Sequence, residues 1–361
     1  MRAWRVPVAG TVLLAAGASL ALWSPTPEAV GEAPAPTIRT QSAAASEERA
    51  LPRLSDYGFF VGDLAELRPA TRVYPYALNT PLFSDYAEKT RFVVLPEGAV
   101  MTWDDTEVFG LPVGTYLVKT FSYPVDERDP SLGRRHVETR LLKHAPEGWV
   151  AWGYRWADDQ SDAAYEPLGG EAPVRWIDDD GRERTLAYEV PNQFQCKGCH
   201  SFEGEIRPIG PTARQLHGGA VDYAADWVEA GLLAGAPADR SLWPIMDWRA
   251  AGASVEARAR AYLDANCGYC HRPEGPGGSS GLFLHHRYPT GAQTGVRKAP
   301  VAAGKGSGGL TFGIHPGKPG KSILVHRLAS ADPAVRMPEV GRTVVHEEGL
   351  ALVRAWIADM E

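Results

Sequence analysis

All four cysteines of the 361-residue chain fall in two five-residue runs, Cys196-Lys197-Gly198-Cys199-His200 and Cys267-Gly268-Tyr269-Cys270-His271. Both read Cys-x-x-Cys-His, the pattern of covalent c-type haem attachment. Two thiols three residues apart reach the two vinyl groups of one porphyrin, and the next residue's imidazole is carried beneath the iron as proximal ligand. Two other chemistries use such thiol pairs. A structural zinc site takes four ligands from paired clusters, and a thioredoxin-like dithiol sits near a βαβ pattern, which is absent here. Both leave His200 and His271 without a task. The expected cofactors are two covalently attached haem c groups, with His200 and His271 on the irons.

The sixth iron ligands are sought further along the chain. The last hundred residues resemble a class I cytochrome c domain: a helix over Ser254 to Asn266 leads into the second motif, Met337-Pro338 lies in a polar loop, and a terminal helix carries Trp356-Ile357. The resemblance implies that the first and last helices cross with Tyr262 and Trp356 at the crossing, and that the Met337 sulfur closes the second iron's sixth position. His315, His326 and His346 are rivals, His346 reading as an exposed cap of the terminal helix. The first motif follows an extended segment, Glu189 to Asn192, which departs from that pattern. Met246, just before a helix and 46 residues after His200, is preferred as its distal ligand. His217 and an open position are the alternatives. A Met ligand would raise that iron's potential and a His ligand lower it.

The run Tyr76 to Tyr86 (YALNTPLFSDY), with Lys89, Arg91 and Pro96 after it, is similar to a family of uncharacterised exported bacterial di-haem c-type cytochromes. Pro208-Ile209-Gly210-Pro211, Arg214-Gln215-Leu216 and Ala259 to Cys267 fit the same family. The resemblance spans most of the chain and implies a di-haem architecture without naming a substrate.

These motifs must be positioned by two kinds of sequence. Residues 54–190 carry β signals at Thr90 to Leu95, Val108 to Tyr123, His136 to Lys143, Trp149 to Trp156, Val174 to Ile177 and Thr185 to Val190. Turn residues punctuate them, with Asp180-Gly181 as a hairpin turn, so an antiparallel β-sandwich-like module is expected. Trp152 and Trp156 share a strand face and read as core. The Asp178 to Asp180 run lacks the spacing of a calcium loop and reads as a solvated turn. From Pro191 the character changes to helices between Gly/Pro-rich loops, at Thr212 to Leu216, Tyr223 to Leu233, Ser254 to Asn266, Ser322 to Ala329 and Glu347 to Met360. The expected fold is thus α+β and multidomain: a first haem region at 191–253 and a mainly α-helical, cytochrome c-like domain at 254–361 follow the β module.

Residues 1–30 read as a signal peptide, because Arg2 and Arg5 precede an uncharged apolar run, Val6 to Trp23, with a small-x-small site at Ser19-Leu20-Ala21. Residues 31–53 read as a disordered Pro/Ala/Ser linker. The expected location is periplasmic, with membrane contact only if the N-terminal segment stays uncleaved. The net charge of −7 is unevenly spread. Gly31 to Val190 holds 17 basic and 27 acidic residues, and Pro191 to Glu361 holds 18 and 16. No basic surface for nucleic-acid phosphates follows from that balance.

The expected function is a di-haem cytochrome relaying single electrons to or from an unidentified redox partner protein, with no residue assigned as catalytic. A di-haem peroxidase-like enzyme is the alternative. A binding module with accessory haems is a third reading, its β half docking a carbohydrate or protein.

Overall fold

The computed structural model describes residues 48–239, 247–301 and 303–361. Its dominant element is one antiparallel sheet in the order β1 (Val73–Tyr76), β2 (Glu88–Val94), β4 (Tyr116–Pro124), β5 (Arg134–Ala145), β6 (Gly148–Trp156) and β7 (Ala163–Tyr165). The two-residue strand β3 (Met101–Thr102) lies outside it. Alternation along the strands gives the sheet two faces with different fates.

One face carries Phe92, Val118, Leu141, Trp152, Tyr154 and Trp156 and is sealed by the segment from Leu54 to Val73, so both tryptophans are core. Within it Thr120 and Thr139 share a hydrogen bond of 2.8 Å, and the Trp156 indole N–H donates to Thr139. The opposite face is covered in two pieces. At one end Phe121 and Tyr123 pack under a hairpin of β8 (Gly170–Ile177) and β9 (Glu183–Val190). At the other end Tyr76, Val93 and Leu117 join a core with Leu216, Trp227 and Leu233 from the later part of the chain. Between the two covers, a strip of sheet is left for the site described below.

After β9 come α1 (Gln193–His200), the short strands β10 (Ser201–Phe202) and β11 (Glu205–Ile206), α2 (Ala213–Leu216), α3 (Tyr223–Glu229) and β12 (Leu233–Ala234). Strand β12 pairs in parallel with β3, which ties this stretch back to the earlier half. Then α4 (Val255–Leu263), α5 (Ile323–Leu328) and α6 (Glu347–Ala358) enclose a further core of Tyr262, Leu263, Leu284, Ile314, Val353, Trp356 and Ile357. Gly349 in α6 permits its closest approach, because a Cβ there would lie 2.3 Å from the Tyr262 ring.

The expected fold class is corrected by this architecture. The protein is β-rich, helix makes up only 23% of it, and no helical cytochrome-like region stands out. Among the described residues α2 to α6 form where the sequence signals them, α1 forms where it does not, and all stay between 4 and 12 residues long. The reason is visible between α4 and α5, where a Gly or Pro recurs every few residues from Pro273 to Gly320 and breaks each helical run. In place of an even sandwich there is one six-stranded antiparallel sheet, with the two-stranded sheet of β8 and β9 packed over one end of a face. Residues 48–361 are one compact unit, so cores and strands cross the position at 190 where the composition changes. The apolar run of the N-terminus, Met246 and the 1–30 and 31–47 assignments lie outside the described residues. Among the described residues no helix is long and apolar enough to cross a membrane.

Candidate functional site

The first motif occupies the last turns of α1. Asn192 caps that helix, its side chain accepting from the Gln195 N–H at 2.9 Å while Gln195 Oε1 accepts from the Asn192 N–H at 2.8 Å. This reciprocal box starts the helix directly after the extended β9, in a place where the sequence reading stressed only the extended approach. Helical spacing puts Cys196 and Cys199 on one face. None of the eight residues of α1 is fully buried, but Gln195, Cys196, Cys199 and His200 are half-buried.

The second motif follows α4 through a wider π turn, Asp264–Gly268, and is wrapped by its own neighbourhood. Cys267 is buried. Gly268 is required by close approach, since a Cβ there would lie 2.9 Å from the backbone of His285. Arg272, next to His271, makes a forked pair with Glu107 at 3.0 to 3.1 Å, so β-module residues reach this motif too.

The two motifs touch. The Tyr269 hydroxyl donates to the Cys199 sulfur at 3.7 Å, and the Cys270 thiol lies 3.9 Å from the Gly198 carbonyl. Sequence spacing alone could not give this contact.

Fit to haem can be tested on the histidines. His200 Nδ1 donates to the Arg207 carbonyl at 2.9 Å, and His271 Nδ1 faces the Leu282 carbonyl at 3.3 Å. Each bond fixes the ring and leaves Nε2 as the free lone pair, the arrangement in which an imidazole ligates a metal. Burial, with the Lys119 charge next in weight, presses His200 down to about 3, and burial likewise lowers His271. Both rings are neutral, as ligation needs. All four thiols are free, and burial pushes those of Cys267 and Cys270 up to about 12. The residues present fit two c-type haems. No family model, no curated protein and no solved structure matches this chain.

A cleft of about 1500 Å³, its open mouth included, lies between α1 and the uncovered strip of the sheet. Cys196, Cys199 and His200 form one wall, and Arg91, Lys119 and Arg140 belong to the sheet wall. Burial, then the charges of Arg140 and Arg91, lowers the Lys119 amine to about 7. The β half is therefore part of the site, which the sequence reading had confined to the later half. The run from Tyr76 to Tyr86 acts as a strap that lines the cleft of the first motif and reaches the neighbourhood of the second. Thr80 exchanges two hydrogen bonds with the Gln215 side chain at 3.0 and 2.9 Å, and the Phe83 N–H donates to Asn266, next to Cys267, at 2.7 Å. Asp85 accepts from the backbone of Thr343 and Val344 at 2.7 to 3.0 Å.

The candidate distal ligands part company here. Met337 is half-buried and lines a small cavity with Tyr262, Asn266 and His346. Its loop also carries Glu339, a charged neighbour of His271 and Cys270. His217 does not line the large cleft and instead pairs with Asp222 at 2.5 Å. His346, read as an exposed cap, is buried, stacked on Phe83 at 4.1 Å and bonded to the Tyr262 hydroxyl at 3.0 Å. Asp178 is equally buried, accepting from the Arg182 N–H and Arg184 to close the β8–β9 turn.

A second, smaller cleft shares His200 and is lined also by Asp264, His285 and His286, residues the sequence reading did not single out. Their ligand atoms lie within 4.8 Å of one another. Burial works to raise the Asp264 carboxyl, but His286, His285 and Arg214 outweigh it and hold it low. With Arg214 and Arg260 acting on Asp264, and Arg272 and Arg287 on His285, the surroundings oppose a bound cation.

Proposed function

We propose that this chain is an exported, periplasmic di-haem c-type cytochrome that relays single electrons between redox partners, in keeping with the family resemblance of its motifs. The observation that carries the reading is the contact between the two attachment motifs, Tyr269 to Cys199 and Cys270 to Gly198. Bound haem supplies the one-electron iron couple, and the chain supplies attachment, orientation and electrostatics. Cys196 and Cys199, and Cys267 and Cys270, would hold the porphyrins covalently. His200 and His271 offer Nε2 to the irons, their rings fixed from the other nitrogen. Met337 is the residue proposed for the second iron's sixth position, and Met246 remains the candidate for the first.

The test is a haem stain and intact mass of the exported protein, followed by spectra of both oxidation states. Two covalent haems per chain are expected, and a chain without covalent haem refutes the reading. Met337→Ala should abolish the ferric Met-to-iron band, and its survival would remove Met337 as ligand.

A peroxidase-like reading has one observation in its favour: the Asp264, His285 and His286 group opens onto the cleft shared with His200, where it could move protons. Peroxide turnover by the unmodified holoprotein, lost in His286→Gln, would establish it.

A further inference from the structure

The middle strip of the sheet is left uncovered, and its composition is unusual for such a place. Register sets Arg91, Lys119 and Arg140 side by side on β2, β4 and β5, with Tyr76 at one end and Gly153 at the other. Neighbouring strands are about 5 Å apart, so the three cations form one short row. All three line the cleft shared with the first motif.

Only one of the three has a carboxylate of its own. Arg140 donates twice to Glu138 at 2.8 Å, and the Tyr188 hydroxyl donates to the same carboxylate at 2.9 Å. Arg91 is buried, and its hydrogen bond goes to the Lys89 main-chain carbonyl at 3.1 Å. Lys119 lies 5.2 Å from the centre of the Phe121 ring, with Arg140 beside it over the same ring. The remaining carboxylate on the cleft wall, Glu189, is taken by Arg336 at 3.6 Å and by the Gln195 amide at 3.2 Å. Lys89, one step along β2, donates to the Ala87 carbonyl and lies near Asp85. Arg91 is buried and Lys119 half-buried beside it, with Glu138 reaching Lys119 only through space, so like charges face each other across the strip and the arrangement calls for further negative charges in the cleft.

The rest of the wall says what carries them. Leu78, Leu82, Phe83, Leu117, Leu142 and Ala151 make it mostly apolar, which suits a broad apolar body bearing anionic groups better than a small free anion. We propose that Arg91 and Lys119 seat the two propionate carboxylates of the haem attached at Cys196 and Cys199. This rests on the di-haem reading above.

The experiment uses the holoprotein and its Lys119→Gln, Arg91→Gln and Lys119→Arg variants, each first shown by mass to carry two haems. The midpoint potential of each haem and the propionate bending bands in resonance Raman are the readouts. A nearby cation favours the reduced iron, whose net charge is one unit lower. Each Gln variant should therefore lower the midpoint of one haem and shift its propionate band, leave the other haem unchanged, and find Lys119→Arg close to the parent. Unchanged bands and midpoints in folded di-haem variants overturn the proposal and leave the di-haem reading intact. Succinate shifting the parent's midpoint, with that response lost in Lys119→Gln and the bands constant, also overturns it in favour of a free carboxylate. Absence of haem at Cys196 and Cys199 overturns both readings together.

Discussion

At the first motif the protein supplies a surface helix, held by a capping box and laid over strands that precede it by scores of residues. At the second, the same five-residue pattern is sunk between α4, the backbone of His285 and a Gly-rich wrap in which a Cβ at Gly275 would lie 2.4 Å from the Cys270 carbonyl. The middle residues differ accordingly. Gly198 has open space, its added Cβ meeting only Val340 at 3.7 Å, whereas Gly268 has none. The same five-residue pattern thus has two supports: a sheet floor with a half-exposed helix above it, and a motif that is part of the core it helps to build.

The strongest way to break this contrast is to remove each thiol pair in turn. Cys196→Ser with Cys199→Ser should leave a folded protein with half the haem, because both thiols are only half-buried and α1 has no fully buried residue. Cys267→Ser with Cys270→Ser places a hydroxyl at a buried position inside the tightly wrapped segment 264–282. It should give little soluble holoprotein. Haem per chain, from absorbance and intact mass, reads the difference, and equal losses in the two variants would erase the contrast.

Acid is the next probe. Burial lowers His346, which sits beside the second motif's helices, from 6.5 to about 4. Its ring faces Phe83, Tyr86, Trp248 and the Tyr262 hydroxyl, with Glu348 in front of it and the charges of Arg249, Lys89 and Arg342 around it. A histidine held neutral in the fold takes its proton first in the unfolded chain. Its contribution is therefore intact above pH 6.5 and is lost as pH falls toward 4, by roughly 3 kcal/mol across that window. His346→Gln should flatten the pH dependence of the denaturation midpoint between those values. An unchanged slope would show that the ring does not set it.

How much of this contrast was open to a reader of the sequence follows from where each part is written. The attachment residues are local patterns, as are strands β2, β4, β5, β6, β8 and β9 and the positions of α2 to α6, whereas the short strands β3 and β7 carry no such signal. The cleft is not local. Arg91, Lys119 and Arg140 become a row only through the pairing of three strands, and Glu107 meets Arg272 only after the chain has folded back. The run from Tyr76 to Tyr86 was legible as distinctive but not as a strap, because its partners Gln215, Asn266 and Thr343 lie far along the chain. The helical region was overestimated because the Gly/Pro-rich loops expected between the helices take up more of residues 191–361 than the helices do.

The Gly pair sharpens the comparison at smaller cost. Gly268→Ala forces a methyl against the main chain of His285 and should destabilise the protein by about 2 kcal/mol, the usual scale of overpacking. Gly198→Ala, in open helix, should be neutral or gain a few tenths of a kcal/mol. Paired thermal melts decide it, and equal shifts would mean that the second motif yields as easily as the first.

The smallest effect is expected at Asn192, and its value lies in being local. Removing the cap with Asn192→Ala leaves the Gln195 N–H only the Asn192 main-chain carbonyl at 3.1 Å and breaks the box that begins α1, at a cost of about 1 kcal/mol. Because α1 has no fully buried residue, the loss should fall on the helix rather than on the whole fold. Amide exchange over residues 193–200 would then speed up roughly fivefold, while exchange in α4 and α6 stays as it was. Asn192→Asp, which keeps the capping oxygen, should restore the slow exchange. A uniform acceleration across both motifs would instead mean that α1 is bound into the common core, and the two supports would no longer be different in kind.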